Sequence, residues 1–345
     1  MDRKEIKKLI VEAVIFIAIM ALTWNAVFSG QDLDEIMVAL NEMSIPALLA
    51  AALLSIFFVS AEGYMIWYLL KGLGENNRLI RCVGYSFVGF FFSGITPSAT
   101  GGQPMQLYCM KKDGNAMSNS SVVLMTVAVA YKAVLVTIGL GILLLCYRPL
   151  RELLGVYFWL YLLGLALNII VVVILFLVMF TPRIIRGILQ GGERLLVKCR
   201  LMKPDDTRQK RMDIFIEEYQ QALAFFKKNK GKLAWILAVT FFQRSSLFVL
   251  TYVVYLGLGL SGSSAAEVIL LQASVYVAVD MLPIPGAQGI TELMYSAVFL
   301  PVFTSAYLMP SMLITRGMNF YLPLLISLGV TIVRLVGYQR VKCVA

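Results

Sequence analysis

The sequence predicts an all-α polytopic membrane protein, with six spanning helices and two re-entrant helical hairpins arranged as an inverted repeat. Three observations carry this expectation. The 345 residues are 59% apolar and 14% charged, against roughly 25% charged in soluble domains. Several apolar runs exceed about 18 residues, the length at which a helix spans a bilayer. Two more apolar regions are each interrupted at the middle by proline and glycine, and the two interruptions share a register. The chain reads as one integral membrane domain over 1–345, with one substantial polar interval at 181–232.

The elements follow in order, and lysine and arginine orient them, because short cytoplasmic loops carry the basic excess. The start, "MDRKEIKK", precedes an apolar run at 9–28 with no clear small-residue cleavage site, so it reads as an uncleaved first span with a cytoplasmic tail. The next loop holds Asp32, Asp34, Glu35 and Glu42 and no basic residue, and lies outside. Span 46–70 returns to a loop with Lys71, Arg78 and Arg81. The first interrupted region, 82–110, is followed by Lys111 and Lys112, so it enters and leaves on the cytoplasmic face. Its return limb, 98–110, covers about 20 Å as a helix, against roughly 30 Å of hydrocarbon, and cannot cross.

Spans 118–146 and 155–180 flank a short outside loop with Arg148, Arg151 and Glu152, a mild exception to the rule. The interval 181–232 is strongly basic and cytoplasmic, and Met212, Phe215, Ile216, Tyr219, Leu223 and Phe226 recur in it at helical spacing. This amphipathic helix is expected to lie on the anionic inner leaflet. Span 233–260 ends outside. The second interrupted region, 264–305, has no basic residue on either flank and is expected to begin and end outside. Span 307–338 leads to a cytoplasmic tail, with Arg334 expected to reach lipid headgroups.

The two interruptions align. "GITPSATGGQPMQL" and "DMLPIPGAQGITELM" superpose with one offset of 186 residues, which pairs Pro97 with Pro283, Gln106 with Glu292 and Leu107 with Leu293. Three spans separate the copies, so the copies open to opposite sides. Broken helices in inverted repeats belong to secondary transporters, and irregular backbone at membrane depth persists only where protein or a wet cavity surrounds it.

Six ionisable residues stand deep in apolar segments: Glu62, Lys132, Arg244, Asp280, Glu292 and Arg316. Each charge at the bilayer centre costs about 2.5–3.5 kcal/mol on insertion scales, so the six must face a polar interior. Two readings stand side by side. They form buried ion pairs that fix packing, or they bind a headgroup, with Lys132, Arg244 and Arg316 taking a phosphate and Glu62, Asp280 and Glu292 an ammonium. Gln106 and Glu292 begin the return limbs, beside half-helix N-termini that favour anions. Gly101, Gly102, Gly286 and Gly289 either admit a phosphate to that backbone or serve close helix packing.

Several functions are excluded. The chain has no histidine, which removes serine–histidine and cysteine–histidine catalysis and histidine-ligated metals; no metal or cofactor is expected. The five cysteines form no C-x-x-C pair, and no disulfide framework is expected. The net charge of +10 is spread over loops on one side, as orientation requires, so nucleic acid is not an expected partner.

"PSATGGQP" at 97–104, the lysines after it, and "LPIPGAQGITE" at 282–292 resemble the lysylphosphatidylglycerol synthase transmembrane family, the membrane half of multiple peptide resistance factor. The resemblance covers essentially the whole chain. It implies a flippase or scramblase that moves aminoacylated phosphatidylglycerol from the inner to the outer leaflet of a bacterial cell membrane, contributing to resistance against cationic antimicrobial peptides. It carries Pro97, Ser98, Thr100, Gly101, Gly102, Gln103 and Pro104 to the first hairpin, and Pro283, Pro285, Gly286, Gly289 and Glu292 to the second. In fused relatives a separate soluble domain makes the lipid from lysyl-tRNA. The polar interval here is too short for that domain, so the chain is expected not to be an enzyme and to work beside a separate aminoacyl-lipid synthase. Another anionic or polyprenyl-phosphate lipid is the alternative cargo.

Overall fold

The computed structural model describes residues 41–96, 99–181, 183–187, 190–191, 206–282, 287 and 289–344. Among the described residues every regular element is helical. The first expected span, 9–28, lies outside them, as do Pro97, Ser98, Pro283, Pro285 and Gly286.

The chain runs through α1 (Ile45–Gly72), the short pair α2 (Leu79–Ile95) and α3 (Gly102–Lys112), α4 (Met117–Leu145), the surface helix α5 (Tyr147–Leu154) and α6 (Phe158–Phe180). It continues with α7 (Asp206–Lys228), α8 (Lys230–Gly257), a second short pair α9 (Ala265–Val279) and α10 (Ile290–Phe299), then α11 (Ser305–Arg316) and α12 (Leu322–Val344). Five stretches are long and apolar enough to cross a membrane: α1, α4, α5 with α6, α8, and α11 with α12. They fall where the hydropathy placed them. The two interrupted regions resolve into helices of 17, 11, 15 and 10 residues. None of the four reaches the roughly 30 Å of a hydrocarbon core.

The 186-residue offset extends far beyond the motifs. Shifting α1, α2, α3 and α4 by it sends their first residues to 231, 265, 288 and 303; α8, α9, α10 and α11 begin at Lys230, Ala265, Ile290 and Ser305. The chain therefore carries two copies of one helical unit, a long helix, two half-length helices and a second long stretch (α4 in the first copy, α11 with α12 in the second), with α5–α7 between them. Both apices hold an alanine in the left-handed region, Ala99 at φ 55° and Ala287 at φ 50°. A non-glycine residue pays about 1–2 kcal/mol there, strain that the surrounding packing must hold in place.

The last long helix is not continuous. A π turn at Gly317–Tyr321 separates α11 from α12. Pro323 follows it and cannot donate an N–H to the preceding turn, so the ladder has to rearrange there.

Two apolar clusters fill the bundle. One takes Ala51, Phe58 and Val59 from α1, Leu135 from α4, Leu247, Leu250 and Tyr255 from α8 and Ile314 from α11. The other takes Met65 to Leu70 from α1, Val122 to Ala130 from α4, Ile236 from α8 and Phe320 after α11. On each of these helices the charged residue falls between the clusters: Glu62, Lys132, Arg244 and Arg316 all sit at the seam.

Two expectations change. The apolar face of α7 does not lie on the leaflet. Tyr219, Ala222, Leu223 and Phe226 are buried against the cluster containing Val122, Val123 and Met179, and Ser118 Oγ donates to Glu218 Oε2 at 2.7 Å. An amphipathic face has the same period whether lipid or protein covers it, and here the end of α4 does. Arg334 does not reach for headgroups either. Its Nη2 donates to the Arg81 carbonyl at 2.6 Å, its Nη1 lies 3.2 Å from Asp113 Oδ2, and its guanidinium stands 4.8 Å over the Tyr85 ring. Tyr85 donates to the same Asp113 oxygen at 2.7 Å. Arg334 thus ties α12 to the open end of the α2–α3 pair.

Candidate functional site

At the seam lies a cavity of about 700 Å³. Helices from both copies build it. Glu62 projects from α1, Gln106 from the start of α3, Lys132 from α4, Arg244 from α8, Asp280 from the end of α9, and Arg316 from the end of α11; all six line it. The sequence separates these residues by up to 254 positions, and the burial cost of each charge is met by bringing them together.

Asp280 sits between two cations. Lys132 Nζ donates to its Oδ2, and Arg244 Nη2 lies 3.7 Å from its Oδ1. Among the described residues Arg244 is the largest fully buried side chain, 1% exposed, and its Nε and Nη2 find no hydrogen-bond partner there. Its guanidinium stacks 3.0 Å from the Tyr131 ring centroid and 5.9 Å from that of Phe58. Lys132 Nζ lies 5.5 Å from the same Tyr131 ring. Tyr131 is thus shared by two cations, the arrangement that cation–π attraction favours.

Glu292 does not face the cavity. It stands behind Arg316, whose Nε donates to its Oε1 at 2.7 Å, while the Gly289 N–H donates to its Oε2 at 2.7 Å. Gly289 has φ 81°, a left-handed turn that glycine adopts without penalty, and its carboxylate partner closes the first turn of α10. Glu292 therefore fixes Arg316 and the helix start together. Glu62 is held differently: Gln106 Nε2 donates to its Oε1 at 2.6 Å, and Glu62 forms no salt bridge among the described residues.

Of the motif residues, Thr100 and Gln103 line the cavity. Gly101 and Gly102 serve close packing: a Cβ on Gly101 would stand 2.7 Å from Thr96 Cγ2, and one on Gly102 would stand 2.7 Å from the Gly89 carbonyl oxygen. Pro104 is in the first turn of α3, where its missing N–H costs nothing. Sequence reasoning missed Tyr131, Gln272, Tyr276 and Asn319, which also line the cavity. Polar side chains within apolar helices were their only signal.

Fold and site together define a polytopic membrane protein with an interior chamber lined by charges of both signs. A family model, the lysylphosphatidylglycerol synthase TM region, matches residues 9–327, and the chain belongs to that family. It is 25% identical over 266 residues to the UPF0104 membrane protein PH1989 of Pyrococcus horikoshii, covering 75% of this chain and 78% of that one.

Proposed function

We propose that the chain is a phospholipid flippase or scramblase that passes an aminoacylated phosphatidylglycerol headgroup through this chamber, from the inner to the outer leaflet. The observation that carries the reading is one chamber with cations and carboxylates at the middle of five membrane-length helices. A headgroup with a phosphodiester and an amine needs both signs along its path. The phosphodiester would meet Arg244 and Lys132, since a guanidinium fork matches two phosphate oxygens.

In this reading α2–α3 and α9–α10 are re-entrant hairpins from opposite faces. Their lengths and the 186-residue repeat support it. So do the charges: Arg78 caps α2 and Arg81 stands in its first turn, and Lys111 and Lys112 close the last turn of α3, whereas no basic residue flanks α9–α10. Both chain ends then face the cytoplasm of a bacterial cell. The chain acts as a transporter beside a separate aminoacyl-lipid synthase rather than as an enzyme, and exported cationic lipid would repel cationic antimicrobial peptides.

The test is reconstitution into vesicles carrying acyl-labelled lysylphosphatidylglycerol. The protein should speed leaflet exchange and Arg244→Ala should slow it; no acceleration by the unaltered chain defeats the proposal. The basic half of the chamber supports a second reading, a transporter of another anionic or polyprenyl-phosphate lipid. Mass spectrometry of lipid retained through purification separates the two.

A further inference from the structure

The three carboxylates at the seam are not equivalent. Asp280 spends both oxygens on cations, Oδ2 on Lys132 and Oδ1 facing Arg244. Glu292 spends one oxygen on Arg316 and the other on the Gly289 N–H, and does not line the cavity. Both are already neutralised by the protein. Glu62 lines the cavity, accepts a hydrogen bond from an uncharged amide, and forms no salt bridge among the described residues.

Its support is built for that purpose. Gln106 is 3% exposed, and it lies over Gly89, where even a Cβ would overlap its amide. Gly89 thus leaves room for the Gln106 side chain, and Gln106 aims one Glu62 oxygen while the other faces no basic partner among the described residues. An amide orients a carboxylate without neutralising it. A carboxylate so held in a low-dielectric site attracts a cation strongly.

We propose that Glu62, positioned by Gln106, is the specificity-determining residue of the chamber, and that it selects headgroups bearing a primary ammonium. This rests on the lipid-transport reading and deepens it. Substrate phosphate and ammonium would bind at separate places, the first at Arg244 and Lys132 and the second at Glu62. A phosphatidylglycerol without an aminoacyl group satisfies only the first.

The experiment uses the full chain in vesicles and measures leaflet exchange of two acyl-labelled lipids, lysylphosphatidylglycerol and phosphatidylglycerol. The ratio of the two rates should favour the aminoacylated lipid in the unaltered chain. Glu62→Gln should lower that ratio about tenfold or more, as expected for losing one partner of a desolvated charge pair, and Glu62→Asp should restore part of it. An unchanged ratio in Glu62→Gln overturns the assignment while leaving transport intact. If the unaltered chain moves both lipids equally, the assignment fails alone; if it moves neither, the transport reading fails with it. Should Glu62→Gln not assemble, Gln106→Met keeps the carboxylate but removes its anchor. That variant must lower the same ratio, and no change there also overturns the proposal.

Discussion

Lys132 and Asp280 lie 148 residues apart and meet at the centre of the bundle, where the Lys132 ammonium donates to Asp280 Oδ2. The contact joins α4 of the first copy to the end of α9 in the second. Asp280 also faces Arg244, so one carboxylate balances two buried cations.

That sharing makes the pair asymmetric to mutation. Asp280→Asn removes the salt-bridge partner that Lys132 and Arg244 share, and removing one partner of a buried ion pair costs about 3–5 kcal/mol. Lys132→Met leaves Arg244 facing Asp280 and should cost less. Thermal unfolding in detergent should rank Asp280→Asn below Lys132→Met, with the exchange Lys132→Asp plus Asp280→Lys recovering part of the loss. Equal losses from the two single variants would show that Arg244 gains nothing from Asp280.

The Arg334 tie predicts a change in cysteine reactivity. Cys82 and Cys109 are fully buried beside it, on α2 and α3. A lysine cannot reproduce a fork that meets a carbonyl, a carboxylate and an aromatic face at once. Arg334→Lys should cost about 1–3 kcal/mol. With the other three cysteines replaced by serine, maleimide should label Cys82 and Cys109 slowly in the parent and rapidly in Arg334→Lys. Unaltered labelling would mean that the α2–α3 pair is held without α12.

The docking of α7 can be tested apart from the membrane. Phe226 is 1% exposed, and Phe226→Ala in a packed cluster costs about 3–5 kcal/mol. Trypsin should then cut faster at Lys227 and Lys228. Tyr219 carries a buried hydroxyl with no partner among the described residues, so Tyr219→Phe should strengthen docking by about 1 kcal/mol. Burial pushes the Tyr219 phenol up to about 12, above its ordinary value near 10. A raised acid favours the docked form while protonated, so docking holds below pH 10 and weakens as pH rises toward 12. Protease sensitivity that stays flat across that window would place Tyr219 elsewhere.

Much of this was legible in the sequence because hydrocarbon is an unforgiving solvent. Long apolar runs located five of the six expected spans among the described residues, and proline with glycine marked both interrupted regions. Charges at depth had to converge, so Glu62, Lys132, Arg244, Asp280 and Arg316 could be nominated as a group. Their pairing could not. Nothing in the sequence distinguishes Asp280, which takes Lys132, from Glu292, which turns away to fix Arg316. Arg334 was misplaced for the same reason, since its partners Arg81 and Asp113 lie 253 and 221 residues away. The α7 pattern fixed a face but not what covers it. Gly101 and Gly102 stood equally for ligand approach and for packing until the side chains of α2 were in view.

Two glycines turn this distinction into a contrast. A Cβ on Gly63 would stand 2.7 Å from the Val83 backbone nitrogen and 2.9 Å from Ser86 Oγ. Backbone in a packed helix cannot step aside, so Gly63→Ala must separate α1 from α2, at about 1–3 kcal/mol. A Cβ on Gly89 would instead overlap the Gln106 side chain from Cγ to Nε2, which has rotatable bonds by which to move. The helix meanwhile gains up to about 1 kcal/mol from replacing glycine by alanine. Gly89→Ala should therefore melt close to the parent while losing the Gln106 hydrogen bond to Glu62, and with it discrimination between aminoacylated and plain phosphatidylglycerol. Gly141→Ala, where a Cβ meets nothing within 4 Å, should melt no lower than the parent and leave the discrimination unchanged. If Gly89→Ala lowers the melting temperature as far as Gly63→Ala does, the Gln106 amide is fixed as rigidly as backbone, and its contact with Glu62 belongs to packing rather than to selection.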